Sequence, residues 1–284
     1  MNLKEIIRNG KISLLMPEGE GGALSGEAHL LLFKRKKYVL RKCPDSKKAK
    51  MYLLISKRLE KYDFLPKLIG KSGNNVVYEY IEGRDLRQNE KIDVFRQLGV
   101  ICAHINQMQI KASMDKGFYQ RLKELETGKY IPYQKVILRR QRSGITEKPK
   151  AVLSHADAAQ IKKLYSLLKR KAKPKITLNP ADVVPGNFRL RNKRVYLVDV
   201  ESVKPNFNGS GLAKFFLGWG KDPKRQKAFK SGYQSIASMS FINETYKDLL
   251  YLNFSITALH FKAQVIRDYS EDIELIRKMI EKYL

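Results

Sequence analysis

In the first eighty residues, apolar and polar positions alternate in short runs, which is typical of strands. The run KISLLM predicts a first strand, and HLLLFKRKKYVLRK predicts two strands joined by a basic turn at residues 34–37. KLIGKSGNNVVYEYI predicts a hairpin with a Ser-Gly-Asn-Asn turn. Between these runs, SKKAKMYLLISKRLEKY has apolar residues near helical spacing. We therefore expect a β-rich N-terminal region that contains one helix.

After Gly83 the apolar spacing becomes helical. IDVFRQLGVICAHINQM predicts an amphipathic helix, and Ser154 with Asp157 three residues later predicts the capped start of another. That second helix has apolar positions at i, i+3, i+4 and i+7, namely Ile161, Leu164, Tyr165 and Leu168. KITL and RVYLVDV predict short strands, and the chain from about Lys224 onwards predicts helices.

These patterns predict an α+β protein with two lobes. The small N-terminal lobe, residues 1–82, would be β-rich, and the larger lobe, residues 83–284, would be mostly helical. A ligand would be expected in the cleft between two such lobes.

Charge adds a hypothesis about partners. The 284 residues include 56 Lys and Arg against 28 Asp and Glu, a formal net charge of +28. Such a surface attracts phosphates, nucleic acid or an anionic membrane. Segment 134–175 is especially basic, because only Glu147 and Asp157 oppose its many Lys and Arg side chains. It is either a solvated loop and helix face or a landing site for an anionic substrate, membrane surface or nucleic acid.

The two cysteines, Cys43 and Cys102, are far apart and lack the spacing of metal ligands. A reducing compartment is therefore expected. No run of residues approaches the ~18 apolar positions needed to span a bilayer. The N-terminal residues MNLKEIIRNGKISLL interrupt their apolar positions with charges. These features predict a cytoplasmic protein, and its charge would allow peripheral contact with an anionic membrane.

One segment has the side chains that transfer of a γ-phosphoryl group requires. In kinases a carboxylate accepts the proton of the attacking hydroxyl, and an amide and a second carboxylate hold Mg²⁺. LNPADVVPGNFRL places Asp182 and Asn187 in the spacing D-x-x-x-x-N, with a Pro-Gly turn between them. The following residues predict a hairpin whose return strand ends at Asp199. All three groups would therefore lie at the ends of one hairpin.

A second candidate, LSHADAAQIKK, contains both His155 and Asp157. Five residues after Asp157 stands Lys162, a cation where a metal ligand would be needed. Asp157 is better explained as a first-turn helix residue, where a negative charge favours the helix dipole. His155 is then expected at the surface or at the helix cap, and it is not expected to act as a base.

From about Leu15 to Tyr233, the sequence resembles the aminoglycoside phosphotransferase and choline kinase-like enzymes, which share the protein-kinase fold. GGALSGEAHLLLFKRKKYVLRK resembles their nucleotide-loop hairpin, VVYEYIEGRDL their hinge and LGVICAHIN the helix that follows it. LNPADVVPGN and VYLVDVES together resemble H-G-D-x-x-x-x-N and its following Asp strand. KAFKSGYQSI resembles a segment that ends in Gly-Tyr.

This resemblance implies an ATP- or GTP-dependent kinase that uses Mg²⁺. It implies that Asp182 is the catalytic base and that Asn187 and Asp199 bind the metal. Arg41 would contact the α- and β-phosphates, because it shares a strand face with Val39, whereas Lys42 points the other way.

The resemblance also implies how the nucleotide is held. Gly21 and Gly22 would belong to the nucleotide loop, and adenine would contact the Glu79 carbonyl and the Ile81 amide of the hinge. Glu201 would assist the metal or the substrate.

The sequence departs from the family pattern at positions that hold the catalytic groups in place. The His and Gly before the catalytic Asp are Pro180 and Ala181, and the helix position that carries the Glu partner of the phosphate-binding cation falls near Lys50 or Met51. The usual Leu-His is Ile105-Asn106, and the bracing Asp-Leu-Ala is Gly211-Leu212-Ala213. A catalytically weak pseudokinase or nucleotide-binding scaffold is therefore an alternative, and a nucleic-acid-associated protein on a kinase-like fold is another.

The acceptor predicted for a kinase is anionic or neutral. Choline and aminoglycosides are cations whose pockets need acidic side chains, and a chain with net charge +28 is a poor electrostatic match for them. The hydroxyl group of a small molecule, a sugar or a glycolipid headgroup fits this charge better.

Overall fold

The computed structural model describes residues 3–14, 28–132, 136–137, 140–141, 143–180, 183–240 and 242–284. The helices with described bounds are α1 (Leu3–Asn9), α2 (Ser46–Leu59), α3 (Ile92–Asn106), α4 (Asp115–Thr127), α5 (His155–Ala172), α6 (Ser210–Leu217), α7 (Pro223–Gln234), α8 (Glu244–Gln264) and α9 (Ser270–Tyr283). The described strands are β1 (Lys11–Leu14), β2 (Ala28–Phe33), β3 (Lys36–Lys42), β4 (Leu68–Ser72), β5 (Asn75–Glu79), β6 (Arg84–Asp85), β7 (Ile176–Pro180), β8 (Phe188–Arg191), β9 (Arg194–Leu197) and β10 (Val203–Phe207).

The chain forms two compact units. The first contains residues 1–105, 180–204 and 219–237, and the second contains residues 106–179, 205–218 and 238–284. The lobes predicted at 1–82 and 83–284 remain a prediction. The first unit therefore contains the hairpin β8–β9 and helix α7 as well as the N-terminal sheet.

The first unit is built on a five-stranded antiparallel sheet with the order β1-β2-β3-β5-β4. The predicted basic turn joins β2 to β3, and Lys34 and Arg35 both have positive φ there, as a two-residue hairpin turn of this type requires. The β4–β5 hairpin turns at Gly73, which also has positive φ. The predicted strands of this region that fall on described residues are therefore confirmed.

The prediction of a single helix in this region was wrong, because α1 precedes the sheet. Leu3, Ile6 and Ile7 of α1 pack against the cluster formed by side chains of β2, β3 and β5. Seven residues are too few to show a helical period, and so short a helix depends on tertiary packing for its stability. The longer α2 begins as its sequence suggests, with the Asp45 side chain accepting the Lys48 N–H at 2.7 Å.

Helices α3 and α7 of the first unit approach closely at two glycines. A Cβ atom on Gly99 would lie 2.1 Å from the Phe229 carbonyl oxygen, and a Cβ atom on Gly232 would lie 1.9 Å from the Arg96 carbonyl oxygen. Both distances are far shorter than a carbon–oxygen contact. The two glycines therefore let the backbones of the two helices touch.

The second unit is mostly helical. Helix α8 packs against α4, α5, α6 and α9, and β7 pairs with β10 in a two-stranded sheet. The predicted capping box of α5 is confirmed, since the side chains of Ser154 and Asp157 each bond the other's backbone N–H. The four apolar positions predicted for this helix are buried in the core, and among the described helices none has the length and apolar character to cross a membrane.

Candidate active site

Arg41 on β3 and Asp199 after β9 form an ion pair within the first unit. The Arg41 Nη2 atom lies 3.0 Å from the Asp199 Oδ1 atom, and the arginine is 8% exposed. The neighbouring Lys42 is exposed. A charge this well buried needs a hydrogen-bonded partner of opposite sign. The structure therefore brings together the cation predicted for the phosphates and one carboxylate predicted for the metal.

Asn187 lies directly beside Asp199 in the backbone. Its carbonyl oxygen accepts the N–H groups of Val198 at 2.9 Å and of Asp199 at 3.4 Å. Asn187 ends a short 3₁₀ turn that begins at Pro185, whose fixed φ suits the first position. The predicted amide and carboxylate ligands thus start from adjacent backbone positions at the open end of the β8–β9 hairpin.

A side chain of α3 fixes the opposite end of this hairpin. The Gln97 amide donates to the Lys193 carbonyl at 2.9 Å and accepts the Val195 N–H at 2.9 Å. One amide therefore satisfies a backbone acceptor and a backbone donor of the turn and the return strand. The sequence offered no sign of this role, because Gln97 occupies an ordinary polar position of an amphipathic helix.

Arg189 ties the same hairpin to the hinge. Its guanidinium donates to the Asp85 carboxylate and to the Ile81 carbonyl, both at 3.0 Å, and lies 4.8 Å from the centre of the Tyr80 ring. Burial opposes its charge, but hydrogen bonds and charges at Tyr80 and Asp85 hold the pKa of Arg189 above its usual value. The sequence offered no sign of this role, because Arg189 occupies the ordinary polar position between Phe188 and Leu190 in an alternating strand.

The hinge residues lie at the end of β5. The Glu79 N–H donates to the Lys67 carbonyl at 2.8 Å, and the next N–H, that of Tyr80, donates to the Lys37 carbonyl at 3.4 Å. At Ile81 the carbonyl is the acceptor for Arg189. The adenine contacts predicted for the Glu79 carbonyl and the Ile81 amide remain predictions.

Three predicted site residues, Gly21, Gly22 and Asp182, lie outside the described residues, as does the side chain of Glu201. The other candidate pair, His155 and Asp157, lies within the described residues. His155 is the first residue of α5, its side chain is 91% exposed, and its Nδ1 atom lies 2.6 Å from a Glu126 oxygen. With Asp157 in the capping box, this segment has a structural role at a helix start, as the sequence analysis expected.

The strand that leads towards Asp182 is anchored in the second unit by a fully buried amide. The Asn179 Nδ2 atom donates to the Thr177 carbonyl and hydroxyl, both at 3.0 Å, and to the Asn206 carbonyl at 3.2 Å. Its Oδ1 atom accepts the Ser210 N–H at 3.1 Å. Ser210 precedes Gly211, the position where the family pattern has its bracing Asp. Asn179 therefore supplies polar contacts where two expected anchors are missing.

We expect Asn179→Asp to lower the free energy of unfolding by about 3 kcal/mol. The buried oxygens of Thr177 and Asn206 would lose the amide donor and face a carboxylate instead. Urea denaturation measures this effect. Gln160→Ala, which removes an exposed amide from α5, is the matched control and should change stability by less than about 0.5 kcal/mol. Equal effects of the two variants would contradict the anchoring role.

The donor set at Asn187 and Asp199 fits Mg²⁺ bound together with phosphates. Among the described residues, no three His, Cys, Asp or Glu side chains are close enough to form a metal cage of their own. Mg²⁺ in nucleotide sites commonly takes one or two carboxylates and completes its shell with phosphate oxygens and water. One carboxylate and one amide in adjacent positions are consistent with that arrangement.

Comparison with known protein families matches most of the chain to one family. The family described as Choline/ethanolamine kinase matches residues 33–274. The chain belongs to this family. A search of curated proteins finds no match.

Solved structures show the same fold. The choline kinase LicA from Streptococcus pneumoniae is 17% identical, with 99% of each chain covered and a TM-score of 0.62. LicA in complex with AMP has 17% identity and a TM-score of 0.57, covering 96% of this chain and 94% of that one. An aminoglycoside phosphotransferase from Alicyclobacillus acidocaldarius is 10% identical, with a TM-score of 0.57 and coverage of 100% and 94%.

These matches confirm the predicted family resemblance and the α+β, protein-kinase-like fold. The family and the neighbouring structures are kinases and phosphotransferases of small molecules, which supports the same class for this chain. They give no support to the predicted contact of segment 134–175 with nucleic acid or a membrane.

Proposed function

We propose that this protein is an ATP-dependent phosphotransferase that transfers the γ-phosphoryl group to a hydroxyl group of a small molecule. The observation that carries the proposal is the ion pair between the buried Arg41 and Asp199, with Asn187 beside it, in a chain of the choline/ethanolamine kinase family. The neighbouring structure in complex with AMP supports nucleotide binding by this fold.

The proposed roles follow from the chemistry of each side chain. Asp182 accepts the proton of the acceptor hydroxyl as its oxygen forms a bond to the γ-phosphorus, while the bond to the β-phosphate oxygen breaks and ADP leaves. Asn187 and Asp199 hold Mg²⁺, which when bound supplies positive charge to the phosphates. Arg41 adds a fixed cation on the same phosphates, and Glu79 and Ile81 hold adenine through backbone groups.

The proposed acceptor is anionic or neutral. LicA is named for choline, a cation, but the net charge of +28 on this chain raises the energy of bringing a cation to its surface. Sugar, sugar-phosphate and polyol hydroxyls should therefore be better acceptors than choline in a panel assayed by ADP release. Preferred turnover of choline would contradict this part of the proposal.

The nucleotide site can be tested by thermal unfolding with Asp199→Asn. At ATP about 100-fold above its Kd, Mg²⁺–ATP should stabilise the native protein by about 2.7 kcal/mol. We expect EDTA to remove much of this gain in the native sequence. In Asp199→Asn the gain should be small with or without Mg²⁺, because an amide is a weaker Mg²⁺ ligand than a carboxylate.

Asp93→Asn is the matched control, since Asp93 is an exposed carboxylate in the same unit whose described partner is Arg96. It should keep the full Mg²⁺-dependent gain. An Mg²⁺-dependent gain that survives in Asp199→Asn would show that the metal assignment is wrong.

A nucleotide-binding protein without turnover is the second candidate. The family pattern expects a Glu on α2 to pair with the phosphate-binding cation, but the buried side chains of α2 are Ala49, Tyr52, Ile55, Ser56 and Leu59. Arg41 instead has Asp199 as a described partner. Tight Mg²⁺–ATP binding with no ADP release across the acceptor panel would favour this candidate.

A further inference from the structure

The second unit contains a cavity whose described lining includes none of the residues assigned to phosphotransfer above. Its volume is about 670 Å³. Its described lining comes from residues 128–130, 132, 136–137, 140–141, 144–146 and 148–149 after α4, and from Gln264 at the end of α8. Pockets that hold small molecules generally measure about 300–1,000 Å³. The cavity is therefore large enough for a ligand of ten or more non-hydrogen atoms, on the order of one naphthalene derivative.

Much of the described wall is apolar. Pro132, Val136, Ile137, Ile145 and Pro149 line the cavity, and Ile137 is partly open to solvent. An apolar wall of this kind favours a ligand whose body carries few polar groups, because binding removes apolar surface from water.

The charged part of the described wall is positive. Lys129, Arg140 and Lys148 line the cavity, and its described lining residues include no Asp or Glu. The Arg140 guanidinium donates to the Gln264 carbonyl at 2.6 Å and to the Glu147 carbonyl. These acceptors are uncharged, so they fix the guanidinium in place without neutralising it.

A buried hydrogen-bond acceptor lies behind the wall. The Oε1 atom of Gln264 is buried and receives no hydrogen bond from the described residues, while the Nε2 atom of the same amide donates to the His260 carbonyl at 3.1 Å. A buried polar atom without a partner is uncommon in native proteins and calls for an explanation, such as a bound water. Because Gln264 is fully buried, this acceptor lies behind the cavity surface and a molecule in the cavity does not reach it.

The nearby acid Glu124 is already bonded within the protein. Its oxygens accept hydrogen bonds from the Gln120 amide at 2.6 Å and the Ile131 N–H at 3.2 Å, and one lies 2.7 Å from His260. Burial alone would raise the pKa of Glu124, but these hydrogen bonds lower it overall and keep the group ionised. Glu124 is not among the described lining residues, so Lys129, Arg140 and Lys148 are the charged groups of the wall that the structure describes.

We propose that this cavity is a binding site for a small amphipathic anion. The ligand would place an aromatic or branched apolar body against Ile137 and Ile145, and a carboxylate, sulfonate or phosphate group towards Lys129, Arg140 and Lys148. The site goes beyond the proposed phosphotransferase function and does not depend on it.

Calorimetric titration of the full chain without nucleotide tests the site with three probes. Naphthalene-2-sulfonate combines an apolar body with an anion, 2-naphthylmethanol has the body alone, and sulfate has the anion alone. We expect the first to bind with a Kd below about 1 mM. The other two should bind at least about 10-fold more weakly, because each meets only one part of the wall.

Two variants locate the binding. Lys129→Gln with Lys148→Gln should weaken naphthalene-2-sulfonate by about 5-fold, since each lost ion contact at an exposed site is worth up to about 1 kcal/mol. Ile137→Asp should weaken it further by placing a like charge on the apolar wall. Lys163→Gln with Arg170→Gln removes two exposed cations from α5, which do not line the cavity, and is the matched control.

The control pair should leave the Kd within about 2-fold of the native value, because neither side chain lines the cavity and exposed charges without direct contact are weakened by screening at physiological salt. Absence of binding by naphthalene-2-sulfonate would overturn the proposal. So would equally tight binding of 2-naphthylmethanol, or equal weakening by the control pair, which would show a general charge effect. Circular dichroism of each variant confirms that it is folded.

Discussion

Replacing Asp182 with Asn should lower the turnover number for phosphoryl transfer by about 10³-fold, within the range that a general base contributes. The amide is nearly isosteric with the carboxylate but cannot accept the proton of the attacking hydroxyl. If Asp182 acts on that proton alone, the Michaelis constant for ATP should change little. Steady-state ADP release with the best acceptor of the panel measures both quantities.

The matched control is Asp157→Asn, the same substitution at the rival aspartate. Asp157 contacts Ser154 at the start of α5, where its Oδ2 atom accepts the Ser154 hydroxyl at 2.7 Å. Its loss should reduce stability by about 1 kcal/mol, as the loss of a helix cap does, and leave turnover unchanged. A turnover of Asp182→Asn within about 2-fold of the native value would remove Asp182 from the mechanism.

The sequence predicted those parts of the fold that depend on neighbouring residues. The β2–β3 hairpin and the start of α5 are set by alternation, turn residues and a capping box, all of which act over a few positions. Helix α1 was not predicted, because its stability comes from packing against the sheet and not from its own seven residues.

The site was predicted residue by residue, but its contacts were not. Arg41 and Asp199 are separated by 158 positions, and a family pattern that gives each a role does not state that they pair. Gln97, Asn179 and Arg189 were missed for a related reason. Each is a single polar residue whose partners lie on other elements, so neither periodicity nor local spacing marks it.

These missed residues bear on the departures from the family pattern. The catalytic segment lacks its usual His at Pro180 and the bracing Asp at Gly211, two positions that hold the catalytic groups in place in the family pattern. The structure shows Asn179 bonded to Thr177, Asn206 and Ser210 immediately before that segment. The contacts of Asn179 can therefore hold the segment in place of the family's usual His and Asp. The case for a pseudokinase then rests mainly on the missing acid of α2.

Gly232→Ala should destabilise the first unit by about 3 kcal/mol, and Gly99→Ala should act similarly. A methyl group on either glycine would meet a carbonyl oxygen of the facing helix at 1.9 Å or 2.1 Å. Backbone cannot move aside as a flexible side chain can, so α3 and α7 would have to separate, and overpacking of this kind typically costs about 1–3 kcal/mol or more. Urea denaturation of each variant gives the change in unfolding free energy.

Gly117→Ala separates this effect from helix propensity. Gly117 lies on the exposed face of α4, where an added Cβ meets only the Arg121 side chain at 3.6 Å. Alanine there should stabilise the helix by about 0.5–1 kcal/mol. Changes of opposite sign in the unfolding free energy for Gly117→Ala and Gly232→Ala would show that Gly232, in the Gly-Tyr segment, is needed for packing against α3. Changes of the same sign would show that α3 and α7 do not approach as closely as Gly99 and Gly232 allow.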